Sequence, residues 1–225
     1  SLVNSPIVGV SAVGAPVVTS SEDFAEAHVT FANGCVARFF ASRVTPSPER
    51  RLSLFGSDLH AVVDLNASAS QAVADTLTKS GYAAQAFPTD ITKPDSVNAM
   101  VEGVLKAFGR IDVLVNSAAL DPKFDPDAVK KGMAPGAFED YPLDQWNAAM
   151  NVNLTGMFLM TQACVKPMIA QGKKGSIINI CSTYGLNGPD QRIYIKDGQR
   201  VAYKPVYYTV TKAGVLGFTK YLAAY

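Results

Sequence analysis

From residue 65 onward the chain alternates helix-like and strand-like segments, and this alternation limits the fold more than any other feature. "ASASQAVADTLTKSG" has helical periodicity closing on Gly81, "AAQAFPTD" is a short strand, and "PDSVNAMVEGVLKAFG" is a helix with Pro94 near its start and Gly109 at its end. "IDVLVNSAA" reads as a buried strand, "LDQWNAAMNVNLTGMFLMTQACVKPMIAQG" as one long helix, and "GSIINICS" as another buried strand. "KPVYYTVTKAGVLGFTKYLAAY" is a final helix. Strands separated by whole helices suit parallel crossovers rather than hairpins. The expectation is an α/β fold, a parallel sheet with helices on both faces.

Residues 1 to about 64 read differently. "IVGVSAVGAPVV" is Val-rich, and "AHVTFANGCVARFFASR" alternates around Asn33-Gly34, the strongest short-range hairpin signal. "RRLSLFGSDLHAVVDL" reads as a second hairpin turning at Gly56-Ser57-Asp58, with the polar loop "RVTPSPE" between the two. An antiparallel β-hairpin segment over 1–60 is therefore expected ahead of an α/β domain over 61–225.

Apolar residues make up 48% of the 225, enough for a packed core. Lys and Arg total 20 against 19 Asp and Glu, which removes the usual electrostatic case for nucleic acid or an anionic membrane. No apolar run is long enough for a bilayer. Cys35, Cys164 and Cys181 are scattered, and His28 and His60 are the only histidines. That pattern argues against a disulfide framework and against a metal site, and fits a reducing cytoplasm. The chain opens at Ser1 and stops with helical periodicity still running in "TKYLAAY", so both ends read as cut.

In a parallel α/β sheet, ligands bind beyond the carboxyl ends of the strands. The polar residues at those ends are Asp64, Asp90, Asn116-Ser117 and Ser182. Each alone is only the polar end of a strand. Tyr208 and Lys212, four apart in the last helix, share a face. A free phenol, with a pKa of about 10, is a poor base near neutrality. An ammonium held beside a phenol favours phenolate. The pair reads either as an acid/base group or as two polar residues on an amphipathic helix.

In order along the chain, "VVDLN", "DIT", "VLVNSAA", "NVNLTG", "IINICSTYG" and "YTVTK" resemble the short-chain dehydrogenase/reductase family, from about Ala61 to Tyr225. The resemblance implies an incomplete Rossmann-like sheet and an NAD(P)-dependent oxidoreductase that interconverts a small-molecule alcohol and a carbonyl. It implies Tyr208 as general acid/base, Lys212 supporting it and holding a cofactor ribose, Ser182 polarising the substrate oxygen, and Asn153 in the proton relay. Asp64, followed by Leu65, would accept from the adenosine ribose, favouring NAD over NADP because a 2′-phosphate would face a carboxylate. Asp90 and Ile91 would flank the adenine. Asn116, Ser117, Ala118 and Ala119 would line the cofactor, Ala119 standing where the family has Gly. A homo-oligomer is compatible with this reading.

The gap from Ser182 to Tyr208 is wider than the family's. The extra residues form a long polar loop over 186–206, and Asp190, Gln191, Arg192 and Tyr194 within it would suit a hydroxyl-rich or anionic substrate such as a sugar derivative. The family's glycine-rich turn, whose backbone approaches the pyrophosphate at a helix N-terminus, has no counterpart upstream of Asp64. Gly9 and Gly14 lack its spacing and run on into "PVV". Instead "FANGCVA", "ASR" and "RLSLFG" resemble the C-terminal sheet domain of the glucose-fructose oxidoreductase/inositol dehydrogenase family. A chimera meeting near "HAVVDLN" is one expectation. An alternative to catalysis is a non-catalytic hybrid, an α/β piece joined to an interaction sheet.

Overall fold

The structure, a computed structural model, describes residues 7–15, 24–31, 36–42, 59–121 and 134–225. The chain divides into two compact units, Ser1–Gly56 and Ser57–Tyr225.

In the first unit, β1 (Ile7–Ala15), β2 (Phe24–Phe31) and β3 (Val36–Ser42) form an antiparallel sheet in the order β1-β2-β3. The pairing Thr30↔Val36 brackets Asn33-Gly34, where the hairpin was expected; the turn itself lies outside the described residues. Gly9 and Gly14 sit in β1, Gly14 opposite Ala25, so neither opens a helix. An extended β-ladder uses its backbone N–H groups sideways and cannot cradle a phosphate at a helix start.

The second unit begins with β4 (Leu59–Asp64), α1 (Ala67–Lys79) and β5 (Ala83–Pro88). Asn66 caps α1, its Oδ1 accepting from the Ser68 and Ala69 amides at 3.0 and 3.1 Å. β4 pairs with β5 in parallel, Val62 opposite Ala86. The first arm and turn of the expected second hairpin lie outside the described residues; its second arm, "LHAVVD", pairs in parallel with β5. The helix between β4 and β5 carries the chain back to the starting edge, and that return makes the next strand parallel.

α2 (Pro94–Phe108) starts with Pro at its first position and ends on Gly109 at φ 76°, the left-handed cap its sequence announces. Its Val97, Met100, Val101 and Val104 follow the i, i+3, i+4, i+7 stripe, and all are buried. Each contributes roughly 1.5–3 kcal/mol relative to exposure. They pack with Phe87 of β5, Leu114 of β6 (Val113–Asn116), and Met160, Cys164 and Met168 of α4 (Met157–Ala170). β6 pairs in parallel with β7 (Ser176–Asn179), Leu114 opposite Ile177.

The expected α/β architecture is present, with the parallel strands arranged as two separate pairs, β4-β5 and β6-β7. Strands covered on both faces were expected, yet Leu59 (42%), Val113 (50%) and Val115 (38%) remain exposed. Among the described residues β4 and β6 each bond a neighbour on one side only, which leaves those side chains partly open.

The expected single long helix is α3 (Leu143–Met150), a π-helical turn over Asn151–Gly156, and α4 in succession. The last helix, α5 (Val206–Ala224), begins after Pro205, whose extended ψ of 144° keeps it out of the helix. The 186–206 loop holds a 3-10 turn over Gln191–Tyr194 and a minimal hairpin, β8 (Ile195–Lys196) with β9 (Gln199–Arg200). Asp197 and Gly198 take φ values of 51° and 75° at its tip, the left-handed pair that a two-residue hairpin demands.

Candidate functional site

Tyr208 and Lys212 lie in the first two turns of α5. Lys212 is only 6% exposed, and its Nζ donates to the Ile180 carbonyl at 2.7 Å. A buried ammonium demands such a partner. The same Nζ is 5.8 Å from the centre of the Tyr208 ring. Ser182, just past β7, caps a 3-10 turn over Thr183–Gly185, its Oγ accepting from the Tyr184 amide at 3.2 Å. The Tyr184 ring meets the Tyr208 ring edge-on at 6.4 Å, and Cys181 Sγ donates to the Lys212 carbonyl at 3.2 Å. Ser182, Tyr208 and Lys212 are therefore fastened into one cluster.

Gly185 lets the cluster close. A Cβ built there would stand 2.6 Å from the Lys212 carbonyl oxygen and 3.0 Å from Cys181 Sγ. Gly185→Ala is expected to destabilise the second unit by about 1–3 kcal/mol, because the obstacle is helix backbone. Denaturant midpoints of the variant and the parent chain check this.

Asn153 belongs to the π-helical turn and is 4% exposed. Its Oδ1 accepts from the Leu120 amide at 2.7 Å, and its Nδ2 donates to the Leu120 carbonyl at 3.1 Å and to Thr211 Oγ1 at 3.2 Å. The amide thus ties the segment after β6 to α5, one residue before Lys212. Gly156 closes the same turn against Ile91, whose Cδ1 would be 2.7 Å from a Cβ there. π-helical turns inside α-helices recur at functional sites.

The residues expected at a cofactor follow the strand ends. Asp64 is exposed at the end of β4, its Oδ1 accepting from the Asn66 amide at 2.8 Å, and Leu65 is 73% exposed. Asp90 accepts from the Thr92 hydroxyl and amide, at 2.6 and 2.9 Å, and these bonds hold its carboxyl below the usual range. Ile91 is half-buried against the π-helical turn. The Asn116 side chain turns inward, its Nδ2 donating to Thr161 Oγ1 at 3.0 Å and to Asn179 Oδ1 at 2.8 Å. The Asn116 carbonyl in turn accepts from the Ile180 amide at 3.0 Å, whereas Ser117, Ala118 and Ala119 form an exposed loop of small residues.

A solvent-facing carboxylate thus stands at one strand end and a fixed ammonium near another, the positions expected at the two ribose ends of a dinucleotide. For the pyrophosphate between them, the glycines upstream of Asp64 offer no helix N-terminus among the described residues, since Gly9 and Gly14 are in β1.

In the 186–206 loop the structure redistributes the expected roles. Gln191 grips the backbone of Lys204, accepting from its amide and donating to its carbonyl, both at 3.0 Å, so its amide is not free for a substrate. Asp190 and Arg192 pair with each other on the surface, and the guanidinium pulls the Asp190 carboxyl down to about 2. Burial raises the Tyr194 phenol above its ordinary value, with the nearby Tyr184 adding to the rise. One residue that the sequence reading passed over stands against Tyr208. Lys204 Nζ lies 3.8 Å from the centre of the Tyr208 ring and forms an ion pair with Asp121. Lys204 precedes Tyr208 by four residues, a spacing open to inspection in the sequence.

Among the described residues no group of three or more His, Cys, Asp or Glu is placed to hold a metal ion, and no helix is long and apolar enough to cross a membrane.

Burial lowers the Lys212 pKa from its ordinary value, with the Lys204 charge adding to the fall and Cys181 and Asp121 opposing it. The folded chain therefore releases this proton at lower pH than the unfolded chain does. Between the two values the unfolded state binds more protons, so stability from this group rises with pH. It is lost again as pH falls through the folded value. Above pH 10 Tyr207 acts oppositely, since burial pushes its phenol up to about 12. Lys212→Met is expected to remove the rise below pH 10, which urea titrations from pH 7 to 10 would read.

A family model described as short chain dehydrogenase matches residues 51–225, beginning upstream of the Ala61 boundary read from motifs. D-threitol dehydrogenase of Mycolicibacterium smegmatis is 35% identical over 164 residues, covering 73% of this chain and 53% of that protein. Among solved structures, NAD+-bound xylitol dehydrogenase superposes with a TM-score of 0.59 at 26% identity, covering 74% of this chain and 54% of the other. A gluconate 5-dehydrogenase from Burkholderia cenocepacia J2315, in complex with NADP and tartrate, gives 0.56 at 28% identity, covering 73% and 54%. The chain spans about half the length of these proteins.

Proposed function

Because the chain belongs to the short-chain dehydrogenase family, we propose that it carries the proton-handling side of an oxidoreductase that interconverts an alcohol and a carbonyl. The single observation that carries this reading is the buried Lys212 ammonium, fixed on the Ile180 carbonyl one helical turn beyond Tyr208. NAD(P), when bound, supplies the hydride chemistry. Tyr208 exchanges the proton at the substrate oxygen through its phenolic Oη. Lys212, its Nζ 5.8 Å from the centre of the Tyr208 ring, sets a positive charge beside that group and would hold a ribose hydroxyl. Ser182 donates to the substrate oxygen from a turn fixed on the same cluster. Asn153 holds Leu120 and Thr211 in place behind Lys212.

NAD is the preferred cofactor in this reading, since the exposed Asp64 carboxylate suits a ribose diol and repels a 2′-phosphate. Asp64→Ser is expected to shift relative kcat/KM from NADH toward NADPH by about tenfold. Equal preference before and after the change would remove Asp64 from this role. Polyols and short sugar derivatives are the proposed substrates, after the D-threitol, xylitol and gluconate dehydrogenases that this chain is similar to. Cys164 and Cys181, both unbridged, are consistent with a reducing cytoplasm.

One observation favours a second reading, a non-catalytic hybrid. β4 and β6 each keep an open edge among the described residues, and such edges invite association. That reading predicts no turnover with any alcohol or carbonyl.

The direct test is NADH oxidation at millimolar cofactor against a panel of four- to six-carbon ketoses. Turnover that disappears in Tyr208→Phe supports the oxidoreductase; none in the parent chain supports the hybrid.

A further inference from the structure

The cluster around Tyr208 contains a second cation that the proposed proton transfer does not use. Lys204 is half-buried, its side chain 12% exposed, and its Nζ stands over the face of the Tyr208 ring. An ammonium within about 6 Å of a ring centre is attracted to the negative face of that ring, and here the separation is 3.8 Å.

Every part of Lys204 is held by something else. Its backbone is gripped on both sides by the Gln191 amide. Gln191 is held in turn, its carbonyl accepting from Arg200 Nη1 at 2.7 Å, while the Arg200 guanidinium lies 4.4 Å from the centre of the Tyr203 ring. Tyr203 bonds back to the Pro135 carbonyl at 2.9 Å. At the other end of the side chain, Nζ pairs with Asp121. Asp121 follows Leu120, the residue whose amide and carbonyl are both gripped by Asn153. Two side-chain amides, one from the loop and one from the π-helical turn, therefore fix the two sides of a single ion pair. That pair bridges the segment after β6 and the entry to α5, with the Tyr208 ring beneath the ammonium and the Tyr184 edge against it.

We infer that Lys204 is a positioning residue for Tyr208: with Asp121 and Gln191 it clamps one face of the phenol ring, and the 186–206 loop serves to build this clamp. The inference rests on the proposed role of Tyr208 for its catalytic consequence, but not for its geometry. Removing the cation frees the ring to leave its orientation. The proton-transfer step then suffers, while substrate and cofactor affinity do not. Arg can restore the clamp, because a guanidinium both stacks on an aromatic face and pairs with a carboxylate.

The test uses the full chain labelled with 3-fluorotyrosine, with the Tyr208 signal among the nine tyrosines identified by its loss in Tyr208→Phe. In fluorine NMR, Lys204→Met and Asp121→Asn are each expected to move or broaden the Tyr208 signal, and Lys204→Arg to leave it near its parent position. In steady-state kinetics, Lys204→Met is expected to lower kcat about tenfold with KM within twofold, and Lys204→Arg to recover most of the loss. A Tyr208 signal unchanged in Lys204→Met, or moved as far by Lys204→Arg, overturns the inference. Should Lys204→Met fail to fold, Asp121→Asn decides, since it keeps the Lys204 stem in place; an unmoved Tyr208 signal there overturns the clamp. Absence of turnover in the parent chain would defeat the proposed function alone, and the NMR outcome would still judge the clamp.

Discussion

Tyr208→Phe is expected to lower kcat by roughly 10²–10⁴-fold, the range that a positioned acid or base supplies. The substitution removes only the hydroxyl and leaves the ring contacts with Lys204 and Tyr184 in place. The denaturant midpoint should therefore hardly move, and KM for the carbonyl substrate should stay within a few-fold. Lys212→Met is expected to give a loss of similar size with an added rise in KM for the cofactor. Its ammonium has two tasks in the proposed reading, setting a positive charge beside Tyr208 and holding a ribose hydroxyl. A Tyr208→Phe enzyme that keeps a tenth or more of parental kcat would move the acid/base role elsewhere. Both comparisons need millimolar NADH, for a reason found in the first unit.

The second large effect concerns cofactor affinity. Pyrophosphate binding needs backbone N–H groups that converge at a helix start, with glycines to permit the approach. In this polypeptide Gly9 and Gly14 lie instead in an antiparallel ladder. The ribose-facing positions Asp64 and Lys212 remain, but the most highly charged part of the dinucleotide has no cradle among the described residues. NADH is expected to bind the 225-residue polypeptide at least 100-fold more weakly than micromolar, a deficit of about 2.7 kcal/mol or more. A fluorescence titration that returns a micromolar Kd would show that other residues take over the pyrophosphate.

Much of the fold was legible because strong local signals agreed with each other. α2 has Pro94 at its first position, Gly109 at its cap and an apolar stripe between them, and each of these points to the same boundaries. Asn33-Gly34 placed β2 and β3 for the same reason. "LHAVVD" was read only as a hairpin arm, and its parallel pairing with β5 was not foreseen, because its composition suits either kind of ladder. What decides its direction is α1, the element after it. The π-helical turn left no trace in "NVNLTG", since it differs from the α-helix by a step in backbone hydrogen bonding and keeps the same apolar spacing. The hairpin tip in the 186–206 loop did leave a signal, the Asp197-Gly198 dipeptide, which the reading of that loop as irregular passed over.

The candidate site divides along the same line. Tyr208 with Lys212 was legible because four residues make one helical turn. Lys204, with the same spacing on the other side of Tyr208, was missed because its partner lies far away. Asp121 is 83 residues distant, and only the fold brings its carboxylate to Lys204. Gln191 was placed on the substrate because exposed polar loop residues suit hydroxyls. In the structure its amide is spent on the backbone of Lys204 instead. A side chain's hydrogen-bonding capacity shows in the sequence, and whether the protein has already used it does not.

The proposed function has hydride pass between a nicotinamide cofactor and an alcohol/carbonyl pair, with Tyr208 managing the proton. Incubation with 4,4-dideuterated NADH at millimolar concentration and a short ketose, followed by mass spectrometry of the alcohol, tests it most directly. The account predicts one deuterium in the alcohol from the parent chain and at most a hundredth of that yield from Tyr208→Phe. No labelled alcohol from the parent, or equal labelling by the variant, would contradict it.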